Sequence, residues 1–194
     1  MKRSLICLLI LLFAGVEAQS QSLSGAISGK LTREQGPYVV SGDLTINPGD
    51  SLVIQSGVEV QFQPSTSLIV NGTLIIMGTE GDSVRFRSAS AQPAAGDWNG
   101  IFLQGESLGV IEYLVVEHAG TGVTFSGNGS VIRYSFFRQN NNGADFTNGA
   151  VDTLQFNRIE HNRNAGIRAI NAAPVIRSNA IIANGPFGFE SAIV

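Results

Sequence analysis

From Tyr38 onward, apolar residues come in short runs broken by Gly, Asn, Asp and Pro. Val39-Val40, Leu44-Thr45-Ile46 and Leu52-Val53-Ile54 are separated by Ser41-Gly42-Asp43 and Asn47-Pro48-Gly49-Asp50. Val58, Val60 and Phe62 alternate with polar neighbours, as do Val84 and Phe86 with Arg85 and Arg87; Leu68-Ile69-Val70 and Leu74-Ile75-Ile76 lie between them. Runs of this kind predict short strands with one face in a core and one in water. Turn residues interrupt every candidate helix after the first residues, so strands joined by Gly, Asn and Pro turns are expected throughout. Residues 88–97, rich in Ala, read as the one longer insertion between strands.

The second half repeats itself. Gly122, Gly143, Gly166 and Gly188 are 21, 23 and 22 residues apart, and each precedes an apolar residue. Ile111, Ile132, Leu154 and Ile176 keep nearly the same interval, as do Val116, Phe137, Ile159 and Ile181. A sandwich of hairpins needs no fixed period, whereas stacked identical coils demand one. Residue type is kept as well. Tyr113, Tyr134 and Phe156 fall in one lane, and Asn140, Asn162 and Asn184 in another whose first member is Ala119. Stacked asparagines can bond one another along a coil axis and satisfy the turn backbone. The expected fold is all-β, a parallel β-helix solenoid of roughly seven coils, or roughly 34 Å of rod at about 4.8 Å per coil.

Two segments carry a family resemblance. One runs Gly57-Val58-Glu59-Val60-Gln61-Phe62 through Leu68-Ile69-Val70-Asn71-Gly72-Thr73-Leu74 to Trp98-Asn99-Gly100-Ile101; the other is the Asn-x-Ile-x-x-Asn pattern of Asn157 to Asn162 and Asn179 to Asn184. On these the chain resembles the right-handed parallel β-helix proteins of the pectin-lyase-like superfamily, of the secreted bacterial type. The resemblance implies a right-handed coil. It leaves function open among polysaccharide lyases, glycosidases, adhesins and passive surface rods, because a fold hosts many sites.

The amino terminus reads as an address. Lys2 and Arg3 precede an almost unbroken apolar run from Leu5 to Val16, and Val16-Glu17-Ala18 offers small residues for cleavage. Residues 1–18 are therefore expected to be a secretory signal, 19–37 a polar leader or cap, and 38–194 the β-helix domain. The run is too short to span a bilayer, and no later stretch is long enough to do so. The expected location is secreted, extracellular or cell-surface, with the periplasm also compatible. Cys7 is the only cysteine and would leave with the signal, removing disulfide, thiol and cysteine-metal chemistry from the mature chain. The remaining 10 basic and 14 acidic side chains argue against nucleic acid or an anionic membrane as partner. The last residues, Ala192-Ile193-Val194, carry no polar cap, which predicts a longer natural chain, a covering partner or end-to-end self-association.

Candidate chemistry is sparse. Glu117, Arg138 and Glu160 share one lane, and His118, Gln139 and His161 the next, so a Glu/His/Arg patch could act as an acid–base site or stand as a surface charge ladder. Glycoside hydrolysis needs paired carboxylates, yet most acids here flank turn residues and no Asp-x-Asp or Asp-Asp occurs. By the resemblance, a pectate-lyase-type enzyme would need clustered acids for Ca²⁺ and a base, and no such set maps onto this chain. No cofactor or metal is expected. Trp98, Tyr113 and Tyr134 are the candidate ligand-binding residues, able to meet sugar rings if exposed and to fill the coil if buried. The expected role is a secreted or cell-surface, non-catalytic β-helix with a structural, adhesive or glycan-contacting task. The alternative is a polysaccharide-processing lyase or glycoside hydrolase, or part of one, using Glu117, His118, Arg138, Glu160 and His161.

Overall fold

The computed structural model describes residues 20–192, so the expected signal segment and the last two residues lie outside the described part. All strand pairings between named strands are parallel. One sheet stacks seven strands, from Gly29–Leu31 through Ser51–Gln55, Thr73–Met77, Leu108–Glu112, Val131–Arg133 and Thr153–Gln155 to Val175–Arg177. These mark seven turns of a β-solenoid. The other two sides of each coil belong to a 14-stranded sheet. One complete coil is Thr153–Gln155, Arg158–Glu160 and Ala165–Ile170, and the next repeats it as Val175–Arg177, Ala180–Ile182 and Phe187–Ala192. Among the described residues the only helix is a 3₁₀ turn at Arg33–Gln35.

The lanes read from the sequence are register partners. Ile111, Ile132, Leu154 and Ile176 align, as do Val116, Phe137, Ile159 and Ile181, and all but the last member of each lane are fully buried. Aromatic rings fill the wider parts of the interior: Phe62 stacks on Trp98 at 4.0 Å between centroids, and Phe125 on Phe146 at 4.4 Å. Burying each such ring removes large apolar area from water, the main stabilising term in a chain held without cross-links.

In the four coils that begin near Tyr113, two corners follow one rule. A residue with φ near +50° to +66° turns the chain, and the next residue points inward. At the first corner the turning residues are Tyr113, Tyr134, Phe156 and Ser178; at the second they are His118, Gln139, His161 and Ala183. Left-handed backbone is costly for residues other than Gly. The inward neighbours offset that cost with hydrogen bonds across coils. Asn162 Oδ1 accepts the Asn140 backbone N–H at 3.1 Å, and its amide donates to the Phe137 carbonyl at 3.0 Å and to Asn184 Oδ1 at 2.9 Å. Asn140 Oδ1 in turn accepts the Ala119 N–H at 2.8 Å. A second column, Ser135, Asn157 and Asn179, does the same at the other corner.

The lane of Gly122, Gly143 and Gly166 has a steric cause. A β-carbon at Gly143 would lie 2.4 Å from the Gly166 carbonyl oxygen, and one at Gly122 would lie 2.6 Å from that of Gly143. Each glycine lets the following coil's backbone close in.

Two expectations are corrected. Residues 21–31, assigned to a leader, already belong to the solenoid: Gln21–Ala26 pairs with Tyr38–Ile46, and Gly29–Leu31 with Ser51–Gln55. Leu23, Ile27 and Leu31 anchor them to the core, a spacing masked by the surrounding Ser, Gly and Gln. Ser41-Gly42-Asp43 is not a turn between separate strands. The chain stays extended from Tyr38 to Ile46, bending from one side of the coil to the next, while Asp43 Oδ1 accepts the Ser67 N–H at 2.8 Å.

Candidate functional site

Because corner residues with positive φ project outward, both candidate clusters end up on the surface along neighbouring edges of the rod. Tyr113, Tyr134 and Phe156 form a stack with centroids 5.2 and 5.4 Å apart and planes within 18° of parallel. Tyr134 is 39% and Phe156 47% exposed. The rings cover one another's faces and offer their edges to solvent. Phe136, on the adjoining strand, is also exposed, because only Phe137 of the Phe136-Phe137 pair can point inward. With Glu80, Ser83 and Arg158, these residues line an open groove of about 570 Å³.

Trp98 takes no part in this groove. It is fully buried, stacked on Phe62, with its indole N–H donating to the Glu117 carbonyl at 2.8 Å. The expectation that it could meet a sugar is therefore corrected; its N–H is satisfied inside the coil.

The second edge holds the polar candidates. Arg138 Nε donates to Glu117 at 2.8 Å, whereas Glu160 takes Arg158 of its own strand at 2.6 Å. The three-coil alternation of Glu117, Arg138 and Glu160 thus resolves into two separate ion pairs. His118, Gln139 and His161 sit one residue on, at the outward corner, and His161 Nδ1 lies 3.9 Å from Glu160 Oε2. Pro93, Ala94 and Ala95 of the insertion face them across a groove of about 460 Å³ that also includes Arg163. Gln139 was visible as the middle member of the histidine lane, whereas Arg163 did not stand out in the sequence, its only hint being that it lies two residues after His161.

Other carboxylates are engaged too. Glu112 pairs with Arg133, Asp145 with Arg168, and Asp82 with Arg33. At Glu59, burial pushes the carboxyl up, but hydrogen bonds from Gln61 and Arg87 and the charges of Arg87 and Arg85 outweigh it and hold it below the ordinary value. Asp152 goes the other way. Burial raises its carboxyl above the ordinary range although the Ser130 N–H donates to Oδ1 at 2.7 Å, and Oδ2 is buried without a protein partner. Among the described residues, no group of three or more His, Cys, Asp or Glu could hold a metal ion, and no helix is long and apolar enough to cross a membrane.

Parallel coils, inward asparagine columns and outward corners define a β-helix protein, and comparison with known families agrees. The right handed beta helix region model matches residues 73–193 and the pectate-lyase like beta helix domain model matches residues 25–110. The chain belongs to the right-handed β-helix family, with a pectate-lyase-like fold. A stretch of 48 residues is 42% identical to Protein bark beetle of Drosophila melanogaster, covering 25% of this chain and 2% of that protein. No solved structure matches the chain.

Proposed function

We propose that this chain is a non-catalytic β-helix, secreted or held at a cell surface, that contacts a glycan along its aromatic edge. The observation carrying this reading is the exposed Tyr113–Tyr134–Phe156 stack with Phe136 beside it. Ring edges, which are electropositive, tyrosine hydroxyls and the flanking Arg158 and Glu80 make an amphipathic strip, suited to a sugar's hydroxyl rims. A structural or adhesive role is favoured over turnover because Glu117 and Glu160 are each tied to an arginine.

Calorimetric titration with a panel of neutral cell-wall polysaccharides tests the proposal. The double variant Tyr134→Ala, Phe156→Ala is expected to bind about tenfold more weakly, the loss of roughly 1.4 kcal/mol of aromatic contact, with little change in melting temperature. Equal affinity in the variant and the parent, or cleavage of any polymer by the parent, would overturn it. The alternative, a polysaccharide-processing enzyme acting through Glu117, His118, Arg138, Glu160 and His161, draws on the 3.9 Å approach of His161 to Glu160. It requires turnover that His161→Ala abolishes.

A further inference from the structure

We infer that the second corner groove is a binding site for an oxyanion, a carboxylate, sulfate or phosphate group, distinct from the aromatic edge. Its walls are built. Glu117, Arg138 and Glu160 are register partners on consecutive coils, so His118, Gln139 and His161 follow one another up the rod, and the His118 N–H donates to the Gln139 carbonyl at 3.2 Å. The opposite wall, Pro93 to Ala95, is pinned by the residues after it: the Gly96 and Asp97 N–H groups donate to the His118 carbonyl at 3.1 and 3.0 Å. Asp97, the acid of this loop, is turned back into it, accepting from Ser88 Oγ at 2.7 Å and from the Ala94 N–H at 3.0 Å.

The charges then sort themselves. Glu117 is neutralised by Arg138 and Glu160 by Arg158, both acids being largely covered. Arg163 lines the groove and has no ion pair among the described residues. Within the groove it is the arginine not tied to an acid. His118 Nδ1 is buried without a protein partner. The Arg163 guanidinium fork, the Gln139 amide and the His161 imidazole line one open cleft beside His118 and can converge on the oxygens of a single anion. A cation would meet Arg163 and gain no free carboxylate. A neutral sugar would offer hydroxyl acceptors but no charge to match the guanidinium.

The test titrates the full chain at constant ionic strength with three probes, sodium acetate, sodium sulfate and inorganic phosphate, following the His118 and His161 ring signals by NMR. Saturable shifts with at least one probe are expected. Acetate alone would point to a carboxylate-bearing ligand; sulfate or phosphate would point to an ester of that acid. Arg163→Gln is expected to weaken the effective probe by about tenfold, and Arg163→Lys to restore part of it. Tyr134→Ala should leave it unchanged, so failure here and failure at the aromatic edge are told apart. Non-saturating shifts with all three probes, or an Arg163→Gln chain that binds like the parent, would overturn the assignment.

Discussion

Gly100→Ala is expected to lower the melting temperature by about 10–20 °C, corresponding to roughly 3–6 kcal/mol in a domain of this size. Two causes add. Gly100 has φ near +127°, outside what a side chain tolerates, and a β-carbon there would lie 1.8 Å from the Thr121 carbonyl oxygen. That oxygen belongs to the backbone of the neighbouring strand, which pairs with Trp98–Gly105 on one side and Asn142–Phe146 on the other, so it cannot withdraw alone. Gly49→Ala separates the two causes. Its φ is +84° but no atom lies within 4 Å of the new β-carbon, so it should cost only about 1 kcal/mol. Differential scanning calorimetry of the two variants checks both values; equal losses would mean that backbone contact between coils is not what the glycine serves.

Asn162→Ala should be nearly as damaging, costing about 3–4 kcal/mol. The side chain is buried and joins three coils through its acceptor and its amide. Removing it strands the Asn140 N–H and the Phe137 carbonyl inside the coil, while the Asn184 side-chain oxygen keeps the Asn162 backbone N–H. Each stranded group costs about 1–3 kcal/mol, partly relieved by relaxation. Asn184→Ala, nearer the end of the column and only half-buried, should cost less than half as much. Urea unfolding of both variants makes the comparison; a larger loss at Asn184 would contradict the column as drawn.

The coil itself was legible because stacking imposes one interval on every layer. Ile132, Leu154 and Ile176 had to recur together, and so did the glycines whose missing β-carbon admits the next backbone. What the sequence hid were features that depend on direction rather than interval. Trp98 is an amphipathic side chain at a strand start, and nothing in its neighbours tells that its N–H finds the Glu117 carbonyl inside. Glu160 has arginines available both on the adjoining coil and two residues away, and local rotamers choose Arg158. Gln21 to Leu31 looked like a leader because three apolar anchors were diluted by eight other residues. The candidate clusters were visible as lanes, but their outward orientation follows from positive φ at the corners, which side chains such as Tyr and His do not advertise.

The central physical claim is that residues one period apart are in lateral contact, and paired cysteines test it most directly. In a chain carrying Cys7→Ser, Val131→Cys with Thr153→Cys places two outward thiols on adjacent register partners, about 4.8 Å apart along the stack. Val131→Cys with Val175→Cys places them two coils apart, about twice that distance. With a short bifunctional thiol reagent, the first pair should be bridged within the chain rapidly and almost completely, and the second slowly if at all. Equal rates, or faster bridging of the second pair, would contradict the stacked coil.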